Sequence, residues 1–176
     1  KIHKFHLLGH SMGGMIVQEM AKKIGDKISK LVCYSTGPRG EMPGRFETVD
    51  ESRKNLQKNG LEIMAKNIAK TWFIKGENAK YFDICIKVGK KTSISAADNA
   101  LIAFKDWNGV ETLKKIKNDT LIIWGDQDKS YTIDQIQTLK KNIPNSSLSI
   151  FKDCAHNVHL EKVDEFNNKI QEFLNR

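Results

Sequence analysis

Residues 9–14 have the sequence Gly-His-Ser-Met-Gly-Gly and join two apolar stretches of different character. The residues before them, 5–8, form a short apolar run of the kind found in a buried parallel strand. The residues after them, 12–24, carry apolar side chains four positions apart, which is typical of an amphipathic helix. The pattern therefore predicts a strand, a sharp turn and a helix, with Ser11 on the turn.

A serine at such a turn, with a glycine two residues away on each side, is typical of a nucleophile elbow. Because the turn is tight, we expect no room for side-chain bulk at Gly9 and Gly13. The turn would direct Ser11 Oγ towards the N-terminus of the helix, where the backbone N–H of Met12 can donate to an oxyanion. The alternative is a glycine-rich turn that only packs the helix on the sheet.

A serine nucleophile needs a base, and the base needs an orienting carboxylate. Asp128 follows a predicted strand at 120–124, and His156 follows a predicted strand at 148–151. Because parallel strands bring their carboxyl ends to one edge of a sheet, we expect both side chains to lie near Ser11. The sequence predicts Ser11 as nucleophile, Asp128 as acid and His156 as base.

Several neighbouring residues offer alternatives to these assignments. Asp126 lies close to Asp128 in the sequence, and His159 is a second candidate for the base. Cys154 lies near the predicted base, but it lacks a general-base partner of its own. His10, beside the nucleophile, is expected to be a packing and hydrogen-bonding neighbour.

The middle of the chain differs in character from both ends. Its first part is interrupted by glycine and proline, and it then predicts short amphipathic helices at about 61–74, 77–88, 95–105 and 109–116. We therefore predict three parts: a core carrying the elbow (1–36), a helical cap (37–118) and a core carrying the acid and base (119–176). His10, Phe104 and Trp107 are candidates for lining a substrate pocket, although core packing explains the two aromatic residues equally well.

Composition excludes several other classes of protein. The chain has 176 residues, of which 39% are hydrophobic, and it contains no apolar run long enough for a transmembrane helix. Its net charge is +8, but only 4 of the 29 basic residues are arginine, so we expect no nucleic-acid partner. Three scattered cysteines fit neither a disulfide framework nor a metal site. We expect no cofactor and no metal, and we expect a cytoplasmic location.

Three segments together resemble the α/β-hydrolase superfamily: 5–14, 121–128 and 155–161, with Phe166 beyond them. The resemblance is greatest to esterases and enol-lactonases of the 3-oxoadipate enol-lactonase type. It implies a parallel sheet flanked by helices, with an inserted helical cap that sets substrate choice. It also implies the same roles for Ser11, Asp128 and His156 that the residues themselves predict.

The chain departs from the family pattern at three positions without losing a functional group. Asp119 and Thr132 stand where the family often has proline, and Ala155 stands where it often has glycine before the base. Family members also carry strands and an oxyanion loop before the elbow strand. We therefore expect this chain to be the C-terminal portion of a longer hydrolase, with a second oxyanion donor upstream, and the portion alone to be at risk of inactivity.

The function expected from these observations is hydrolysis of a small-molecule carboxylic ester or lactone through an acyl-enzyme. Two alternatives remain open at this point. One is cleavage of a carbon–carbon bond, or a related elimination, by the same three residues. The other is a hydrolase-fold protein that binds a ligand without turnover. We expect no membrane partner, and the sequence does not indicate the oligomeric state.

Overall fold

The computed structural model describes residues 2–176, and its centre is a sheet of four parallel strands. The strands are β1 (Phe5–His10), β2 (Ile28–Tyr34), β3 (Asp119–Gly125) and β4 (Ser146–Phe151), and they lie side by side in sequence order. Helix α1 (Met12–Ile24) connects β1 to β2, as the elbow pattern predicts. Because all four strands run the same way, the loops that follow them meet at one edge of the sheet.

Each face of the sheet carries its own hydrophobic core because side chains alternate along the strands. On one face, Leu31 and Cys33 pack with α1 and with helix α5 (Ile133–Asn142). On the other face, Val32 and Tyr34 pack with helix α7 (Val163–Leu174). The two central strands, β2 and β3, are therefore covered on both sides, which explains their largely apolar sequences.

Three helices lie between β2 and β3: α2 (Val49–Thr71), α3 (Phe82–Gly89) and α4 (Ile94–Asp106). A short 3₁₀ turn at Gly76–Asn78 replaces the start of the helix predicted at 77–88. The α-helix predicted at 109–116 is wrong, because a 3₁₀ helix at Val110–Lys115 takes its place. The prediction that helix begins only near residue 61 is wrong, since α2 begins at Val49. Thr48 and Glu51 form a capping box there, and the charged residues that follow cover a solvent-facing helix surface.

Helix α2 is bent at one glycine. Gly60 has a φ of 78°, in the left-handed region, and it separates the charged first part of α2 from the second part that the periodicity predicts. Leu56, before the bend, and Ala69, after it, are both buried, so both parts pack against the rest of the protein.

The bounds of the C-terminal helices and strand agree with those predicted from the sequence to within a few residues. Helix α5 begins at Ile133, β4 at Ser146, and α7 covers Val163–Leu174, preceded by the short helix α6 (Val158–Glu161). Among the helices of residues 2–176, none has both the length and the apolar character needed to cross a membrane.

Candidate active site

Ser11 occupies a strained position between β1 and α1. Its φ is 54° and its ψ is −119°, a backbone conformation that costs a non-glycine residue about 1–3 kcal/mol. Three hydrogen bonds hold it there. The Ser11 N–H donates to Tyr34 O (2.9 Å), and Ser11 O accepts from the Thr36 hydroxyl (2.7 Å) and the Gly14 N–H (2.9 Å).

Close packing explains two glycines of the elbow: Gly9, as predicted, and Gly14, which was not predicted. A Cβ at Gly9 would lie 2.2 Å from Gly13 O, and a Cβ at Gly14 would lie 2.4 Å from Thr36 Cβ. A Cβ at Gly13 would meet nothing within 4 Å, so the expectation that bulk is excluded at Gly13 is wrong. The helix approaches the strand through Gly9 and Gly14.

Asp128 and His156 meet after the ends of β3 and β4. His156 Nδ1 donates to Asp128 Oδ2 at 2.9 Å, and their side chains are 1% and 0% exposed. The other carboxylate oxygen, Asp128 Oδ1, accepts from the Ser130 N–H at 2.7 Å. Asp126 instead lies 3.6 Å from Lys152 Nζ, so it is Asp128 that orients the imidazole.

The second ring nitrogen of His156 is left open. His156 Nε2 is buried and has no hydrogen-bond partner among the described residues. The rings of Trp72 and Tyr131 each lie 5.9 Å from the His156 ring and nearly parallel to it, at interplanar angles of 28° and 21°. With Nδ1 engaged by Asp128, Nε2 is the nitrogen available to accept a proton.

Hydrogen bonds from His10 and Tyr34 hold the backbone of His156, and Tyr34 also contacts His159. His10 Nε2 donates to His156 O at 3.2 Å, and Tyr34 Oη lies 2.9 Å from His159 Nδ1 and 3.2 Å from His156 O. Burial, together with the charges of His156 and His159, lowers the pKa of His10 to about 2. Burial and His156 also lower the pKa of His159. Both rings are therefore neutral at neutral pH, and His159, the alternative base, contacts Tyr34.

Cys154 is placed where a reactive thiolate is disfavoured. Burial and the carboxylate of Glu161 raise the pKa of its thiol to about 12. The same carboxylate accepts hydrogen bonds from the N–H groups of Ala155 (2.7 Å) and Ile74 (2.8 Å). Glu161 thereby ties the loop that carries His156 to the chain just after α2.

A largely apolar cavity of about 210 Å³ lies beside Ser11, between the sheet edge and helices α2 and α4. Phe104 is part of its wall, as are Met64, Ile68, Trp72, Leu101, Arg45 and Lys129. Trp107 lies elsewhere: its indole N–H donates to Glu19 (3.2 Å) and its ring packs on the core. His10 is also absent from the cavity wall, so of the three pocket candidates only Phe104 lies there.

Arg45 gives this cavity a partly buried cation, whose hydrogen bonds go to uncharged groups and which has the Glu47 carboxylate nearby without a direct ion pair. Its Nη1 donates to two backbone oxygens, those of Glu47 (2.8 Å) and Thr48 (3.2 Å), and to the Ser52 hydroxyl (2.6 Å). Within the described part of the chain, no carboxylate lies within ion-pair distance of Arg45. Burial lowers its pKa, which reflects the cost of removing the charge from water.

The sequence did not predict four of the residues that surround this site: Tyr34, Arg45, Trp72 and Tyr131. Tyr34 is the last residue of β2, and Tyr131 follows Asp128 by three positions, so both lie close to strand ends. Their position near strand ends was the one feature of the sequence that could have indicated Tyr34 and Tyr131 as site residues. Arg45 and Trp72 come from the region between β2 and β3, whose approach to the sheet depends on tertiary packing.

Comparison with known proteins agrees with this arrangement. The family described as alpha/beta hydrolase fold matches residues 1–163. A 2-hydroxy-6-oxononadienedioate/2-hydroxy-6-oxononatrienedioate hydrolase of Escherichia coli (strain K12) is 30% identical over 186 residues, covering 99% of this chain and 64% of that protein. The Burkholderia vietnamiensis protein of the same name is 28% identical over 187 residues, with the same coverage. The chain therefore spans about 64% of the length of these relatives.

Solved structures show the same fold. The enol-lactonase from Burkholderia xenovorans LB400 superposes with a TM-score of 0.89 at 22% identity, covering 99% of this chain and 67% of that one. An esterase from Exiguobacterium antarcticum gives 0.88 at 22% identity, with 97% and 66% covered. With the parallel sheet, the serine elbow and the family match over most of its length, the chain belongs to the α/β-hydrolase fold family.

Proposed function

We propose that this chain carries the reaction centre of a serine hydrolase that cleaves a carboxylic ester or lactone. The observation that supports it best is the buried Asp128–His156 pair with one imidazole nitrogen open. The His156 ring stacks against Trp72, which lines the same cavity as Ser11. A buried histidine with a carboxylate on one nitrogen and nothing on the other is poised to take a proton from a nucleophile.

In the proposed first half-reaction, Ser11 Oγ attacks the carbonyl carbon while its proton passes to His156 Nε2. Asp128 keeps the Nδ1 proton in place and stabilises the imidazolium that forms. The oxyanion accepts a hydrogen bond from the backbone N–H of Met12, which is the first residue of α1 and one of the helix's N-terminal donors. Collapse then breaks the bond to the alcohol, which leaves with the proton from His156.

In the second half-reaction, His156 removes a proton from water and the resulting hydroxide adds to the acyl carbon. The bond from that carbon to Ser11 Oγ then breaks, and Oγ takes the proton back from His156. The carboxylic acid leaves. Residues 37–118, which supply most of the cavity wall, act in this proposal as the cap that selects the substrate.

A second candidate is hydrolysis of a carbon–carbon bond in a substrate that carries a carboxylate. Two observations favour it: the relatives named above are hydrolases of a dienedioate, and Arg45 places a partly buried cation, with no ion-paired carboxylate among the described residues, in the cavity wall. A cation that has lost part of its hydration is stabilised by an anionic ligand. Turnover of a vinylogous diketone acid, compared with p-nitrophenyl acetate, distinguishes the two reactions.

Covalent labelling with a fluorophosphonate tests the shared part of both candidates. We expect the chain to gain one adduct by intact mass, with peptide mapping placing it on Ser11, because phosphonylation needs an activated serine and its base. The Ser11→Ala variant is the blank and should gain nothing. A chain that shows a cooperative thermal transition but remains unlabelled would contradict the proposal and favour ligand binding without turnover.

Arg45 allows a test of the charge of the substrate. We expect the Arg45→Met variant to lose about 10- to 100-fold in kcat/KM for a mono-p-nitrophenyl ester of glutaric acid, because a hydrogen bond to a charged group is worth about 1.5–3 kcal/mol. The neutral p-nitrophenyl butyrate should be affected far less. The measurement is the ratio of kcat/KM for the two esters.

Two further variants serve as controls for Arg45. Arg45→Lys keeps the charge and should recover part of the ratio, whereas Arg39→Met removes an exposed arginine outside the cavity and should leave it unchanged. An Arg45→Met enzyme with the wild-type ratio would show that the guanidinium does not bind the substrate.

A further inference from the structure

Tyr131 has a buried hydroxyl that contributes no hydrogen bond to the described part of the fold. The residue is 0% exposed, and its Oη has no hydrogen-bond partner of ordinary geometry among the described residues. Leaving a buried hydroxyl unpaired costs about 1–3 kcal/mol, and phenylalanine would fill the same space without that cost. A tyrosine in such a place is explained when its hydroxyl acts on something that the resting protein does not contain.

The ring of Tyr131 is held firmly against the catalytic machinery proposed above. It lies nearly parallel to the His156 ring, and a Cβ at Gly37 on its other flank would come within 3.0 Å of Tyr131 Cδ1. The backbone is also fixed, because Tyr131 O accepts from the Trp124 indole at 2.9 Å. The position of the hydroxyl is therefore set by its surroundings rather than by free rotation of the side chain.

Three groups lie close enough to this hydroxyl to influence its pKa: the Ser11 side chain, the Asp128 carboxylate and the Arg45 guanidinium. Burial raises the pKa of Tyr131, and Asp128 acts in the same direction, whereas Ser11 and Arg45 counter only part of the rise. The phenol therefore keeps its proton across the working pH range. At Ser11 it acts as a neutral hydrogen-bond donor.

We propose that Tyr131 is a further catalytic residue, whose hydroxyl donates a hydrogen bond to Ser11 Oγ when that oxygen gains negative charge. The inference rests on the proposed serine-hydrolase function and assigns to Tyr131 a role in a particular step. That step is the release of Oγ from the acyl-enzyme.

In that step the tetrahedral adduct collapses, the bond from carbon to Oγ breaks, and its electron pair moves onto Oγ. The electron pair of the oxyanion re-forms the carbonyl, and the proton on His156 Nε2 moves to Oγ. Tyr131 transfers no proton; its hydrogen bond stabilises the charge on Oγ during the transfer. During acylation Oγ passes through the same arrangement in the reverse order, losing its proton to His156 as it bonds to carbon, so the hydrogen bond assists that step as well.

The Tyr131→Phe variant tests the inference, because it removes the hydroxyl and keeps the ring against His156. With p-nitrophenyl butyrate, we expect kcat and kcat/KM both to fall about tenfold. The rate of fluorophosphonate labelling, which reports bond formation by Oγ, should fall to a similar extent.

Thermal stability gives an independent readout. Because the hydroxyl is buried and unpaired, Tyr131→Phe should raise Tm by about 2–4 °C, whereas a hydroxyl with a purely structural role would stabilise the wild type and lower Tm on removal. Tyr81→Phe, which alters a tyrosine at the start of α3 outside the cavity, is the matched control and should change neither kcat nor KM.

The outcomes separate this inference from the function it rests on. A wild-type chain that reacts at Ser11, with a Tyr131→Phe variant whose kcat is unchanged, would overturn the role of Tyr131 alone. So would an unchanged rate of labelling, or a lower Tm. A folded wild-type chain that does not react at Ser11 would overturn the proposed function and this inference with it.

Discussion

Turnover of an aryl ester by the His156→Ala variant is expected to fall by about 10⁶-fold, and adding Ser11→Ala is expected to cost nothing further. The two residues act as one unit, because the serine is a weak nucleophile until Nε2 accepts its proton. Removing either leaves only substrate binding and the oxyanion donor at Met12. Initial rates with p-nitrophenyl butyrate at enzyme concentrations high enough to measure the residual activity give both numbers.

His3→Ala is the matched control for this pair. His3 is exposed and precedes β1, so its removal should leave the rate within about twofold, as for most surface substitutions. If the losses for Ser11→Ala and His156→Ala multiplied in the double variant, the two residues would be acting independently. The proposed proton transfer between them would then be contradicted.

Local chemistry made the elbow predictable from the sequence. Steric limits at a strand-to-helix turn restrict the residue types allowed there, and the apolar periods on either side show where the strand ends and the helix begins. The acid and base followed from the topology, since each comes directly after a buried strand of the same parallel sheet. In the structure Asp128 and His156 lie in contact, and the order of Ser11, Asp128 and His156 along the chain required no alignment to read.

The walls of the cavity were not predictable in the same way. Phe104 and Trp107 lie three residues apart at the end of α4, and both pack against the core, yet only Phe104 also lines the cavity. Their environments depend on how α4 docks, which no local pattern specifies. The same holds for Arg45, whose loop is held by hydrogen bonds to backbone oxygens and to Ser52, and for the first part of α2.

The Asp128→Asn substitution is expected to lower kcat/KM for p-nitrophenyl butyrate by about 10⁴-fold while the protein remains folded. The structure gives the reason. The Ser130 N–H holds one side-chain atom as an acceptor, so the asparagine oxygen occupies that place and its NH₂ group faces His156 Nδ1. A donor there favours the tautomer with the proton on Nε2, and that nitrogen can no longer accept a proton from Ser11.

Asp126 supplies the matched control for this substitution, because it precedes Asp128 by two residues in the same loop and carries the same charge. Its carboxylate lies near Lys152 and makes no contact with His156, so Asp126→Asn should leave kcat/KM within a few-fold. Circular dichroism of both variants checks that the fold is intact. An Asp128→Asn enzyme within tenfold of wild type would mean that His156 takes its orientation from Tyr34, His10 and the packed rings around it, and that the carboxylate contributes little to the reaction.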